Sequence, residues 1–296
     1  MPVRRWWMAV LSVVASAVVV APSPAVADAA AGGAGESPEA VVGFVASASA
    51  SGMRFTYRVP GEFVVETIFD FGGPVAESRL DLNGGVGYAS LPFPGETAIV
   101  APALSNVVGL PVVPVTYPFY VSTQYPASEK ASMADPSGHY GLDSESGEAS
   151  STSVAFFRGG PEDHHLGAGS AHTVVKREAA GLSARAESVS EALSLGGGML
   201  RIGSVTSRSV TTLQAGTLKR STELVVNGLE VGGTPAGVGP DGVDDEALNQ
   251  ALGVLGISVR VVKGTEEEHG ASADALVVRF VHPIPGSTST GIAEWR

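Results

Sequence analysis

No cysteine occurs among the 296 residues, which excludes disulfides, thiolate metal sites and a lipidated N-terminal cysteine together. Basic residues are scarce: 18 Lys and Arg stand against 30 Asp and Glu, for a net charge of −12. An acidic surface with no basic stripe repels phosphate backbones, so nucleic acid and anionic membrane surfaces are poor partners. Long hydrophobic runs are lacking too. The apolar stretch from Met8 to Val20 is shorter than the ~20 residues a helix needs to cross a bilayer, so no membrane span is expected. Aromatics are unevenly placed: beyond Phe157, Phe280 is the only phenylalanine or tyrosine. The first half of the chain is expected to pack on aromatic rings, the second on Val, Leu, Ile and Ala.

What is present at the N-terminus reads as an export signal. Arg4 and Arg5 form a short basic region, Met8 to Val20 an apolar core, and Ala25-Val26-Ala27 a small-x-small cleavage site. The expected mature chain is secreted or held at the cell envelope and begins after Ala27. Loss of Arg4 and Arg5 with the leader takes the net charge from −12 to −14. Residues 28–40 are small and polar and read as a disordered leader, followed by a β-rich domain over 41–296. About 270 residues bury a sizeable core without disulfides.

From Val41 onward, period-2 alternation dominates. In "MRFTYRV", Met53, Phe55, Tyr57 and Val59 share one face, while Arg54, Thr56 and Arg58 share the other. "LVVNGLEV" (224–231), "ISVRVV" (257–262) and "ALVVRFV" (275–281) are similarly rich in β-branched residues. Residues 177–195 fit both a strand and a helical spacing of Leu182, Ala186, Val189 and Leu193. The Ser/Thr/Val-rich stretch after Gly196-Gly197-Gly198 favours a long hairpin. Residues 244–255 carry the one helical signature, with an aspartate cap and Leu248, Ala251, Leu252 and Leu255 on one stripe. "SESGEASSTS" (144–153) reads as a loop or a linker that could divide the domain into two halves. The expected fold is mainly β: a large antiparallel sheet or a two-sheet sandwich, with one short helix near 244–255.

Three patterns invite chemical readings. "GVGPDG" (237–242) is formally G-x-G-x-x-G, between a strand and a helix. However, "GGTPA" separates the strand from the first glycine, and Asp241, Asp244, Asp245 and Glu246 stand where phosphate charge would arrive. It reads as a glycine-rich loop leading into a capped helix, so no nucleotide and no cofactor are expected. Asp163, His164, His165 and His172 are of the side-chain types that bind zinc or manganese. Adjacent histidines on an extended chain point to different sides, so they stand as weak metal candidates on a solvated loop. No G-x-S-x-G elbow or S-x-x-K motif is present, and no catalytic residue is assigned. The third pattern, residues 90–126, sets aromatics beside prolines. Phe93, Tyr117, Phe119, Tyr120 and Tyr125 are the candidate binding surface, because rigid rings bind a glycan or protein face at small entropic cost.

The segments "ASASASGMRFTYRVP", "GYASLPFPG", the paired "YP" and "STELVVNGLEVGG" resemble a set of secreted, β-rich actinobacterial proteins to which no activity is assigned. The resemblance implies an exported β protein and transfers no catalytic residue or cofactor. Three functional readings follow. The first is a non-enzymatic protein acting by surface binding to an extracellular or envelope component. The second is a carrier of an apolar or lipid ligand within a curved sheet, with Ala184, Ala186 and Ser188 leaving room for it. The third is a metal-dependent hydrolase built on His164 and His165.

Overall fold

The computed structural model describes residues 16–20, 43–61, 66–91, 119–159, 167–179, 181–239, 242–284 and 289–295. The chain begins with β1 (Ser16–Val20), β2 (Val45–Ser51), β3 (Arg54–Arg58), β4 (Thr67–Gly72), β5 (Val75–Asp81), β6 (Gly84–Leu91) and β7 (Phe119–Gln124). A run of hairpins follows: β8 (Lys130–Ala134), β9 (Tyr140–Ser146), β10 (Ser150–Arg158), β11 (Ala168–Glu178), β12 (Gly181–Leu195), β13 (Leu200–Gln214) and β14 (Thr217–Asn227). Short strands β15 (Glu230–Val231), β16 (Thr234–Pro235), β17 (Val238–Gly239) and β18 (Gly242–Val243) lead to helix α1 (Glu246–Val254). The chain closes with β19 (Ile257–Val262), β20 (Glu266–Glu267), β21 (Gly270–Ser272), β22 (Ala275–Pro283) and β23 (Thr290–Trp295).

The fold is mainly β, and every strand pairing among the described residues is antiparallel. A seven-stranded sheet, β20-β21-β1-β2-β5-β6-β7, lies against a nine-stranded sheet formed by β8 to β16 without interruption, with β13 as its branch point. A five-stranded sheet, β19-β22-β23-β3-β4, closes one end of this sandwich. On β3, Arg54 donates through Nε (2.9 Å) and Nη2 (2.6 Å) to the Asp70 carboxylate on β4. The expected polar face of "MRFTYRV" thus holds a two-pronged ion pair.

The two large sheets meet through small side chains. Ala46, Ala48, Ala50 and Ala76 on one sheet, with Ala171, Ala184 and Ala186 on the other, are at most 2 % exposed. Beside this alanine layer runs a seam of buried hydroxyls. Ser78 Oγ pairs with Thr173 Oγ1 (2.8 Å), and Thr123 Oγ1 pairs with Ser144 Oγ (2.7 Å) and Ser146 Oγ (2.8 Å). Ser144 also meets Ser153 at 3.1 Å. The Tyr88 N–H donates to Ser153 Oγ (3.1 Å), and Ser151 Oγ donates to the Val86 carbonyl (2.8 Å). Burying hydroxyls is tolerated here because each finds a partner across or along the sheets.

That seam corrects one expectation. Residues 144–153 are neither loop nor linker: they are the end of β9, a tight turn and the start of β10, with Ser144, Ser146, Ser151 and Ser153 at most 2 % exposed. A serine-rich stretch looks like a loop only when its hydroxyls are assumed to face water.

The β12–β13 hairpin accounts for the double periodicity of 177–195. Ala184, Ala186, Ser188 and Ser190 are buried on alternate positions, and Leu193 and Leu195 then take over in the opposite phase. Ala192, at φ 53°, sits between the two phases and is skipped by the register with β13. The register is the same on either side, so Ala192 stands opposite Gly203 and its left-handed backbone turns the strand with no extra residue. The hairpin's serine-bearing length thereby faces the seven-stranded sheet. Its leucine-bearing tip joins Leu200, Ile202, Ile257, Val259, Leu276 and Val278 in a second core, under the five-stranded sheet.

Helix α1 forms where its signature lies, with the Asp245 side chain accepting from the Ala247 and Leu248 N–H groups. Its stripe is narrower than expected: Leu252 is fully buried and Leu248 packs partly, whereas Ala251 and Leu255 are exposed. No helix among the described residues is long and apolar enough to cross a membrane. Residues 16–20, from the expected leader core, form β1. The expected cleavage site and the segment 28–40 lie outside the described residues.

Candidate surface site at the sandwich rim

Aromatic side chains collect where β6 and β10 end and β7 and β9 begin. β7 is the edge strand of the seven-stranded sheet. Its Val121 and Thr123 turn into the core, leaving Phe119 and Tyr120 at the rim, 50 % and 48 % exposed. Tyr120 stacks on Tyr88 of the neighbouring strand, with ring centres 6.0 Å apart and planes at 26°. Phe119 leans on Tyr140 of β9 across the sandwich edge, at 5.4 Å and 44°. Each exposed ring is therefore held by a second ring, a preorganised arrangement that loses little freedom on binding.

Round the corner, on the outer face of the nine-stranded sheet, Gly141 lets the Phe156 ring lie flat over β9. A Cβ at Gly141 would fall within 2.7 Å of Phe156 Cζ. Phe156 carries the Arg158 guanidinium 5.6 Å above its centre. With Asp143, Glu145, Thr152 and Val154 it lines an open groove of about 360 Å³.

Of the five expected surface residues, Phe119 and Tyr120 lie at this rim, and as neighbours on one strand they project from opposite faces of β7, Phe119 toward Tyr140 and Tyr120 toward Tyr88. Tyr125 is different: it is half-buried in the turn after β7, its ring against Gly84 and its N–H donating to the Gly85 carbonyl (3.0 Å). Tyr125 holds the turn and leaves the exposed face to its neighbours. Phe93 and Tyr117 lie outside the described residues. Tyr88, Tyr140 and Phe156 complete the cluster. Sequence reasoning passed over them because lone aromatics in alternating strands look like ordinary core residues.

The metal candidates divide. Asp163, His164 and His165 lie outside the described residues. His172 is half-buried on the outer face of β11, between Val154 and Glu187 in register. Among the described residues, no group of three or more His, Asp or Glu is placed to hold a metal ion. His172 is better described as part of a charge row. Glu187 accepts from Arg185 Nη2 and Arg208 Nε, both at 2.6 Å, and Arg208 reaches Glu223 at 3.2 Å. Burial pushes the Glu187 carboxyl up, but the Arg185 and Arg208 hydrogen bonds outweigh it and hold it below the usual carboxylate range. His172 is held below the usual histidine value by burial first and by Arg185 and Lys176 next, against the opposing pull of Glu187.

A pH dependence follows from His172. Its folded-state value is depressed, so the unfolded chain takes up the proton first as pH falls below ~6.5, and stability declines from there. Between about pH 7.5 and pH 5, thermal melting of the His172→Gln variant should drop less than that of the parent. Equal drops in the two proteins would remove His172 from the account.

The glycine pattern at 237–242 belongs to the small β17–β18 hairpin, which delivers the capped helix. The Asp244 carboxylate lies where side chains on Gly237 and Gly239 would otherwise be, so the loop closes on its own carboxylate. Ala184 and Ala186, two of the three positions read as room for an apolar ligand, are fully buried against the alanines of the facing sheet. Ser188 lines a cavity of about 60 Å³ where the three sheets meet, together with Met53, Leu193, Ile202, Val278 and Trp295.

The fold and this site together define a mainly-β protein of three large sheets and one small hairpin sheet among the described residues, with an aromatic rim. Comparison with protein-family models, curated proteins and solved structures finds no match to this chain.

Proposed function

We propose that this chain is an exported, non-enzymatic protein that acts by surface contact with a ring-faced component of the cell exterior, a glycan being the best fit. The observation that carries this reading is the pair of half-exposed rings, Phe119 and Tyr120, each backed by a tyrosine on a rigid strand. Sugar rings present apolar C–H faces that stack on such platforms. The Asp143 and Glu145 carboxylates in the adjoining groove can accept hydrogen bonds from sugar hydroxyls. The basic-apolar-small order of residues 4–27 supports export.

A carrier reading draws on the junction cavity. At about 60 Å³ it holds a few water-sized guests and falls short of an acyl chain, so the rim is the stronger site.

The test is co-sedimentation of the secreted protein with insoluble envelope polysaccharide from the producing cells. The double variant Phe119→Ala/Tyr120→Ala should lose roughly tenfold or more in affinity, as anchor aromatics do, while keeping the parent's melting temperature. Unchanged sedimentation of a folded double variant would overturn the assignment of the rim.

A further inference from the structure

β1 occupies an unusual place. It is the third strand of the seven-stranded sheet, yet it lies within the segment that the export reading removes. It pairs with β2 on one side, from Ser16↔Ser49 to Val20↔Val45, and with β21 on the other, from Ser16↔Ser272 to Val18↔Gly270. Both walls have anchors that do not pass through β1. β2 is laddered along its other edge to β5, from Val45↔Asp81 to Ser51↔Val75. β21 is pinned to the nine-stranded sheet: Ser209 Oγ donates to the Ala271 carbonyl (2.8 Å), and Arg220 donates to the nearby Glu268 carbonyl. Without residues 16–20, the facing edges of β2 and β21 would each lose their ladder partners across a gap one strand wide. The adjoining Ala46, Ala48 and Ala271, at most 3 % exposed with β1 in place, would also open to water. Unpaired backbone N–H and C=O groups flanked by apolar surface are costly and form a ready template for another strand.

Resting on the export reading above, we propose that the gap between β2 and β21 is a strand-acceptor slot, filled in the mature protein by an extended strand of another polypeptide. That strand runs antiparallel to both walls. It carries small or β-branched residues at the positions facing Ala46, Ala48 and Ala271, as "SAVVV" does here. Main-chain ladders on two sides provide affinity, and the flanking alanines suit small or β-branched residues. The chain's own remaining N-terminal residues fit the slot poorly. Residues 28–42, "DAAAGGAGESPEAVV", include Gly32, Gly33, Gly35 and Pro38, which weaken or break a ladder. The same segment of a second copy has the same shortcoming.

The test uses the protein as the cell secretes it and begins with its intact mass. A labelled peptide of residues 14–22, "VASAVVVAP", is then titrated by fluorescence anisotropy, with amide exchange followed in β2 and β21. Expected are a mass lacking residues 16–20, saturable uptake of one peptide per chain, and exchange slowed about tenfold or more in both walls together. A peptide with Val18→Pro, which removes a ladder donor, should bind at least about tenfold more weakly. A clipped protein that carries no second polypeptide and takes up no peptide overturns the slot while leaving the export reading standing, whereas one whose slot already holds a co-purified foreign strand supports it. A dimer whose β2 and β21 are already protected assigns the slot to a second copy and overturns the foreign occupant. A mass that retains residues 16–20 overturns both readings, since the slot is then permanently filled by the chain itself.

Discussion

Gly87→Ala is expected to destabilise the protein by about 3 kcal/mol, at the upper end of what a single added methyl costs in a packed core. Gly87 lies on β6, facing the hydroxyl seam. A Cβ there would sit 2.8 Å from both Ser153 Oγ and Thr123 Oγ1, and closer still to Ser144 Oγ. A lone serine could rotate away from such a contact, but these three oxygens belong to one network. Ser144 is bonded to Thr123 and Ser153, and Ser153 also accepts from the Tyr88 N–H. Displacing any of them strands a buried donor or acceptor, at about 1–3 kcal/mol each. Chemical denaturation of the parent, Gly87→Ala, Ser144→Ala and the double variant measures the coupling. Because Ser144 Oγ is the nearest obstacle, Ser144→Ala should cost distinctly less in the Gly87→Ala background than alone. Additive costs would show that the methyl is accommodated elsewhere.

Ile202→Ala should cost about 2–5 kcal/mol, in the upper part of that range, whereas Ile202→Val should cost about 0.5–1.5 kcal/mol. Ile202 is 1 % exposed, at the tip of the β12–β13 hairpin, in the core under the five-stranded sheet. Among its neighbours, Leu193 is its own cross-strand partner, Val278 and Trp295 pair with one another across β22 and β23, and Met53 lies just before β3, so two ladders hold the walls apart around a missing side chain. The site also borders the 60 Å³ cavity, so the new void joins an existing one. A loss below about 1 kcal/mol for Ile202→Ala would mean that the junction collapses readily and that the second core is looser than its burial implies.

Much of the architecture was legible in the residues. Alternation marked β3, β19 and β22, and the Gly196-Gly197-Gly198 turn marked the longest hairpin, at φ 60°, 67° and 87°. The Asp245 cap placed the helix. Each of these is a local preference, readable from neighbours in the chain. Illegible were the features in which a residue's partner is distant. Ser78 and Thr173 are 95 positions apart and satisfy one another in the dark, so a serine that looks like surface is core. Ala192 reverses the phase of β12 because its two halves face different sheets, which the pattern alone renders as a confusion between strand and helix. At the rim, Phe119 and Tyr120 stood out by their prolines, while Tyr88 and Tyr140 reached them only through folding.

By itself the sequence determined the class of fold, the acidic and cysteine-free surface and the placing of turns, because composition and period act on each segment independently. Tertiary structure alone decided which small polar residues are interior, which aromatics are paired and exposed, and that residues 16–20 can complete a sheet between β2 and β21. Those outcomes depend on hydrogen bonds and close approach between strands far apart in the chain, and no local preference encodes them.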